Sequence, residues 1–125
     1  MDYGLQKEVK IDPAKANSEL EVVIRDDEIL KERTYPIIYL FVYVDGFLVA
    51  KESKTLTKNN NINGKYYGYF HRKIKIREGL RIVKIVYRTY RENQFVDLVF
   101  AQKVEFFSNK LIKISFNKEF LMTTF

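Results

Sequence analysis

The segment that most constrains the fold is the octapeptide IIYLFVYV at residues 37–44, which is followed directly by Asp45-Gly46. β-Branched and aromatic side chains occupy both of its faces, which is typical of a central strand that is covered on two sides. Asp-Gly favours a type I′ turn, because both central residues of that turn need a positive φ. The two features together predict a hairpin in which residues 47–50 return beside the central strand.

Other apolar segments, most of them alternating, predict strands along the remaining chain. Turn-forming residues separate these segments, and we expect Glu78-Gly79 and Ser108-Asn109-Lys110 to close hairpins. About seven strands separated by turns predict an all-β fold, an antiparallel β-sandwich of the immunoglobulin-like or transthyretin-like type. The predicted strands are residues 18–25, 37–44, 47–50, 66–76, 80–90, 95–107 and 111–116.

The chain of 125 residues has the length of one domain, and its first 35 residues are the least regular part. Asp12-Pro13 has the N-cap and first-turn signature of a short helix. Residues 26–33 are rich in acids and could form helical turns or a charged loop. We therefore expect residues 1–35 to form an N-terminal arm with one strand, packed on a sandwich made by residues 36–125.

The residue types that most active sites and metal sites need are scarce. The chain has no Cys, which excludes disulfides, thiolate metal ligands and cysteine nucleophiles, and His71 is its single His. It also lacks a Gly-x-Ser-x-Gly elbow and a phosphate-binding Gly-rich loop. The dense acidic cluster Asp26-Asp27-Glu28 is typical of a solvated loop and lacks the spacing of a calcium loop. The sequence predicts a protein that is not an enzyme and that binds no metal or cofactor.

Positive charge is concentrated in residues 71–91, HRKIKIREGLRIVKIVYRTYR, which contain eight Lys or Arg. Residues 1–45 carry a net charge of −4 and residues 46–125 a net charge of +10. If Glu78-Gly79 closes a hairpin, strand alternation brings five cations to one surface. The predicted basic surface consists of Lys73, Lys75, Arg77, Lys84 and Arg88.

Two explanations of this basic surface remain open at the level of sequence. It can be a solvated sheet face, on which Lys and Arg also protect edges against aggregation. It can instead bind single-stranded nucleic acid or another anionic surface, with tyrosines as platforms for stacked bases. The tyrosines available for stacking are Tyr66, Tyr67, Tyr69 and Tyr90.

Aromatic residues offer a second candidate surface. Tyr39, Phe41 and Tyr43 share one face of the predicted central strand. Either residues 1–35 cover this face, or it is exposed and serves protein binding or self-association, for which Tyr and Phe are favoured.

Two short motifs resemble the layout of PEGA-type domains, which are small β-sandwiches related in shape to carboxypeptidase regulatory-like modules. The first is Val44-Asp45-Gly46 at the end of an apolar strand, and the second is Glu78-Gly79 before a strand of alternating aliphatics. The resemblance covers about residues 37–116. It implies a non-enzymatic accessory module, usually associated with the cell envelope, and supplies no catalytic residue. The aliphatic strand contains Ile82, Val83, Ile85 and Tyr87.

We therefore expect a non-catalytic interaction or structural accessory module that binds a protein or an anionic envelope surface through the basic and aromatic residues. The alternative is a small β-barrel that binds single-stranded nucleic acid. No apolar run reaches the ~20 residues of a transmembrane helix, and the first residues lack the pattern of a signal peptide. We expect an envelope location if a leader was removed ahead of Met1, and a cytoplasmic one otherwise. The oligomeric state stays open.

Overall fold

The computed structural model describes residues 16–31 and 34–125, which form two β-sheets packed face to face. A short 3₁₀ helix, Lys58–Asn60, interrupts the strand order. The strands form two separate open sheets and do not close into a barrel, which confirms the predicted all-β sandwich. The strands are β1 (Ser18–Ile29), β2 (Ile37–Val44), β3 (Phe47–Thr55), β4 (Asn61–Ile62), β5 (Lys65–Ile76), β6 (Gly79–Arg91), β7 (Gln94–Phe106), β8 (Leu111–Asn117) and β9 (Glu119–Thr124).

The first sheet has the strand order β4-β5-β1-β8-β9, and the second has the order β3-β2-β6-β7. Neighbouring strands are antiparallel except for β1 and β8, which run parallel. The strand that the sequence assigns to an N-terminal arm is β1, and it lies in the middle of the first sheet between β5 and β8.

Alternation along the strands builds the core between the sheets. Leu20, Val22 and Ile24 of β1 are buried in the same apolar cluster as Val83 and Ile85 of β6, as the period of two predicts. The predicted central strand is also confirmed, since β2 lies between β3 and β6.

The hairpin between β2 and β3 is confirmed by its turn. Asp45 and Gly46 have φ values of 51° and 83°, which are the two positive values of a type I′ turn. The returning strand β3 is longer than predicted and continues to Thr55. β4 and β9 are absent from the predicted set of strands.

Two predicted hairpins are wrong. β5 pairs with β1 and β4, whereas β6 pairs with β2 and β7, so the chain at Glu78 crosses from one sheet to the other. Residues 107–110 make a second crossing, from β7 to β8. The physical reason is that both strands at each crossing carry an apolar face. Two such faces can pack against each other across the core, and alternation looks the same in either arrangement.

The acidic stretch after residue 25 also differs from the prediction. Asp26 to Ile29 continue β1 as strand, although a shift in pairing with β5 occurs between these two residues. Asp26 faces the core and is buried, so it is not part of a solvated loop. The helix predicted at Asp12-Pro13 and residues 32–33 of the acidic stretch lie outside the described residues.

Candidate interaction surface

The predicted basic surface is divided between the two outer faces of the sandwich. Lys73 and Lys75 of β5 are exposed on the outer face of the first sheet. Lys84 and Arg88 belong to β6 and lie on the outer face of the second sheet, beside β2 and β7. Arg77 is in the crossing between them, where its carbonyl accepts a hydrogen bond from Arg81 Nε. The five cations therefore do not form one surface.

The cations on the first sheet alternate with acids. Lys75 Nζ lies 3.3 Å from Glu19 Oε2, and His71 Nε2 lies 2.7 Å from Glu21 Oε2. The hydrogen bond with His71 lowers the pKa of the Glu21 carboxyl, and the positive charges of Lys73 and Lys113 lower it further. This face is a ladder of mixed charge, so its positive residues are largely compensated.

On the second sheet, the two predicted cations also have partners. Arg88 makes a bidentate contact with Asp97 of β7, at 2.8 Å from Nε and 3.1 Å from the second guanidinium nitrogen. Lys84 Nζ lies 5.8 Å from the centre of the Tyr43 ring. Both cations thus rest on side chains of neighbouring strands.

The aromatic candidates are not an exposed patch. Phe41 and Tyr43 are buried and Tyr39 is half-buried, in a small apolar cluster with Leu48 and Val86 on the outer side of the second sheet. The hypothesis of an exposed aromatic surface is therefore wrong for Phe41 and Tyr43. The alternative, in which residues 1–35 cover this face, concerns mainly residues outside the described ranges, because β1 belongs to the other sheet.

The tyrosines proposed for base stacking are also dispersed. Tyr67 and Tyr69 are exposed on β5, Tyr66 is half-buried, and Tyr90 is buried on β6 in the other sheet. Lys31 covers Tyr90, with its Nζ 4.0 Å from the ring centre. A combined platform of tyrosines and cations is therefore not assembled.

A different surface is apparent on the hairpin of β6 and β7. Its outward side carries four large apolar side chains with high exposure: Leu80 (59%), Ile82 (54%), Phe95 (55%) and Val99 (48%). Strand pairing places all four on one face, because Leu80 lies opposite Glu105, Ile82 opposite Lys103, Val86 opposite Val99 and Tyr90 opposite Phe95. We call this surface the hairpin face.

The sequence contained a signal for the hairpin face. Ile82 has the same parity as Lys84 and Arg88, so it had to point away from the core once Val83 and Ile85 pointed inward. The apolar residues interleaved with the cations of β6 were therefore as informative as the cations.

The acidic cluster contributes a buried polar site inside the sandwich. Asp26 is 3% exposed and accepts hydrogen bonds from Tyr87 Oη at 2.7 Å, Thr89 Oγ1 at 3.1 Å and the backbone N–H of Glu28 at 3.1 Å. Arg91 adds a bidentate ion pair, at 3.0 Å and 3.1 Å from the two carboxylate oxygens. No buried side-chain polar atom in residues 16–31 and 34–125 lacks a partner.

Burial and the adjacent carboxylate raise the pKa of Tyr87 well above its usual range. The hydroxyl therefore stays protonated and donates to Asp26. This arrangement ties β1 of the first sheet to β6 of the second. Its chemistry is that of a structural contact between the sheets.

Within the described part of the chain, no three His, Asp or Glu side chains come together as a metal site. The described residues also include no helix with the length and apolar character needed to cross a membrane. Comparisons of the chain with models of known protein families, with curated proteins and with solved structures found no match in any of the three.

Proposed function

We propose that this chain is a non-catalytic interaction module that binds another protein surface through the hairpin face. The observation that carries the proposal is the exposure of Leu80, Ile82, Phe95 and Val99 on one side of a single hairpin. Scattered exposed apolar residues are normal, but these four follow one face of a single hairpin, from Leu80 and Ile82 at one end to Phe95 beside the turn, and exposed apolar surface rimmed by charged residues is a common mark of protein binding.

The charges around the hairpin face indicate the chemistry of the partner. Lys84, Arg88 and Lys103 lie on it together with the acids Asp97 and Glu105. Arg88 is held by Asp97, so this pair adds no net charge to the face. A partner that offers apolar side chains together with charged groups of both signs would complement it. Lys84 and Arg88 thereby keep part of the role that the sequence suggests for the basic residues.

The resemblance to PEGA-type domains supports a non-enzymatic accessory role. It also makes the cell envelope the first compartment in which to search for the partner. An anionic membrane surface or a nucleic acid would be a different class of partner, and we disfavour both because the cations are divided between two faces and because Lys75 and Arg88 are paired with acids.

Site-specific photo-cross-linking tests the proposal in cells that express the full chain. A photoreactive residue at Ile82 should give a discrete adduct with a protein, whereas the same residue at Lys73 on the opposite face should not. The substitution Leu80→Glu should remove the Ile82 adduct while the far-UV circular dichroism and thermal midpoint stay unchanged. Equal adducts at both positions, or none at Ile82, would contradict the proposal.

Two binding assays with purified chain address the other partner classes. We expect no salt-sensitive binding to single-stranded oligonucleotide and no retention on vesicles of anionic phospholipid. Tight oligonucleotide binding that weakens steeply with salt would replace the protein partner by a nucleic acid. Vesicle binding lost in Lys84→Ala would replace it by a membrane surface.

A further inference from the structure

The long outer edge of the second sheet is the feature that these contacts leave unexplained. β7 pairs with β6 along its whole length, from Gln94 opposite Arg91 to Phe106 opposite Gly79, without any shift in register. No other strand in residues 16–31 and 34–125 pairs with the opposite side of β7. Among the described residues, β7 is therefore an edge strand of thirteen residues.

The direction of the backbone groups on this edge follows from the turn. Glu92 and Asn93 have φ values of 54° and 67°, so β6 and β7 are joined by a two-residue type I′ turn flanked by a hydrogen-bonded pair, Arg91 and Gln94. Every second residue of β7, beginning with Gln94, therefore makes its backbone hydrogen bonds with β6. The odd-numbered residues of β7, 95 to 105, direct their N–H and C=O groups to the outer edge.

A contact on the other side of β6 agrees with this assignment. The Ile82 amide donates to Asp45 Oδ1 at 2.9 Å, and its carbonyl accepts from the Asp45 amide at 2.8 Å, so Ile82 bonds toward β2. The backbone N–H and C=O groups of the next residue, Val83, then point to β7. Val83 lies opposite Gln102, so the even-numbered residues of β7 are the ones that bond to β6.

Open edges normally carry features that prevent pairing with another chain. The opposite edge strand of this sheet, β3, has such features, namely a bulge in its pairing with β2 and the charged residues Lys51, Glu52 and Lys54. β7 has neither a bulge nor a proline, and Val99 and Ala101 separate its charged residues Asp97 and Lys103 in the middle of its exposed side. Its middle therefore lacks the features that block pairing in β3.

The sequence of β7 is complementary to itself in one antiparallel register. If Phe100 faces Phe100 of a second copy, all residues from 94 to 106 are paired and odd residues meet odd residues, as the free backbone groups require. In this register Asp97 lies opposite Lys103, and Val99 lies opposite Ala101. Moving the centre to residue 101 would oppose Asp97 and Glu105, which repel each other.

We propose that two copies of this chain associate through antiparallel pairing of their β7 strands, centred on Phe100. The pairing joins the two four-stranded sheets into one continuous sheet of eight strands. This proposal rests on the proposed function, because Val99 belongs to the hairpin face and would contact Ala101 of the second copy. It names a second copy of the chain as the partner at the margin of that face. The two hairpin faces then lie side by side on one surface.

Sedimentation velocity on the full chain, from about 10 µM to about 1 mM, tests self-association. The mass should rise from 15.0 kDa toward twice that value. Val99→Pro removes an outward amide that β6 does not use, so it should keep the fold and the thermal midpoint but leave the chain monomeric. A wild-type chain that stays at 15.0 kDa throughout, or a dimer that Val99→Pro leaves unchanged, would overturn the proposal.

A charge exchange tests the register. Lys103→Glu and Asp97→Lys should each weaken self-association by roughly tenfold or more, because each creates two like-charge contacts per dimer. An equimolar mixture of the two variants should restore the dimer, since every contact in the mixed pair joins opposite charges. Lys110→Glu changes the net charge as Lys103→Glu does, but outside β7, and should have no effect. A mixture that stays monomeric while the wild type dimerises would overturn the proposed register.

The outcome is separable from that of the proposed function. A monomeric chain whose Ile82 cross-link to another protein persists would refute the β7 pairing and retain the interaction module. A β7 dimer without any Ile82 adduct would do the reverse.

Discussion

Asp26 and Glu21 are two carboxylates on the same strand that face opposite sides of the sandwich. Asp26 points inward and is bonded to Tyr87, Thr89 and Arg91 of the other sheet. Glu21 points outward and is bonded to His71 of the adjacent strand in its own sheet. One contact connects the two sheets in the buried interior, whereas the other lies on the outer face of a single sheet.

The position of such a contact, rather than its number of polar partners alone, sets how much it contributes to the stability of the fold. An ion pair near water is screened and contributes about 0–1 kcal/mol. A buried carboxylate leaves its partners unsatisfied if it is removed, and the cost then rises to about 3–5 kcal/mol. In the sequence both residues are acids near one another in the chain, and only the structure shows that Asp26 is buried in the core whereas Glu21 lies on the outer face.

Removing Asp26 should cause the largest loss of stability among these substitutions. Asp26→Ala leaves Tyr87 and Thr89 without their acceptor and Arg91 without its counter-charge, so we expect a loss of about 3 kcal/mol in the free energy of unfolding. Urea unfolding followed by circular dichroism measures it. The neighbouring, exposed Asp27→Ala is the matched control and should change the stability by less than about 0.5 kcal/mol. Equal effects of the two substitutions would contradict the structural role of Asp26.

The residue opposite Asp26 in the first sheet should be nearly as sensitive. A Cβ on Gly68 would lie 2.8 Å from Ile38 Cδ1, 2.9 Å from Ile29 Cδ1 and 3.2 Å from the Tyr87 hydroxyl oxygen. We expect Gly68→Ala to cost about 1–3 kcal/mol through overpacking. Adding Ile38→Val removes one of the clashing methyl groups and should recover part of the loss. If the double variant is as unstable as the sum of the single ones, the overpacking explanation fails.

Tyr87→Phe separates one hydrogen bond from the rest of the buried site. Asp26 keeps Thr89 and Arg91 as partners, so we expect a smaller cost of about 1–2 kcal/mol at neutral pH. Because the folded protein raises the pKa of Tyr87, its contribution is complete below the ordinary tyrosine pKa of about 10 and is lost as the pH rises above that value. The stability difference between wild type and Tyr87→Phe should therefore shrink in alkaline urea titrations. A difference that stays constant up to strongly alkaline pH would contradict a raised pKa.

Glu21→Gln should have a small effect, about 0.2–1 kcal/mol at neutral pH, because its partner His71 is exposed. The folded state lowers the pKa of Glu21, so the carboxylate stabilises the fold above the ordinary glutamate pKa of about 4 and loses this effect as the pH falls below it. Wild type and variant should converge in acid urea titrations. Glu19→Gln, whose partner Lys75 is more exposed, should give a still smaller change. A Glu21→Gln loss as large as that of Asp26→Ala would remove the distinction between the two faces.

Much of the fold could be predicted from local patterns. The strands β2, β5, β6, β7 and the Asp45-Gly46 turn were predicted close to their observed bounds, because alternation and turn chemistry are properties of neighbouring residues. The mistakes concern partners at a distance. Glu78-Gly79 has the composition of a hairpin turn, yet the strands on its two sides belong to different sheets.

The same limit applies to the candidate site. The sequence identified Lys84 and Arg88 as cations directed away from the core, but it joined them to Lys73 and Lys75 through a hairpin that does not form. It assigned Asp26 to a solvated acidic stretch, because no local pattern reveals that Tyr87, Thr89 and Arg91 converge on it from sixty or more residues away.

The sequence by itself determined that this chain forms β-strands, which of their side chains point inward, and where the tightest turn lies. These properties follow from a period of two and from the conformational needs of single residues. Only the tertiary structure decided which strands share a sheet, and therefore that the positive charge is divided, that Asp26 is enclosed and that β7 is an edge strand among the described residues. Strand pairing joins residues far apart in the chain, and alternation is compatible with several such pairings.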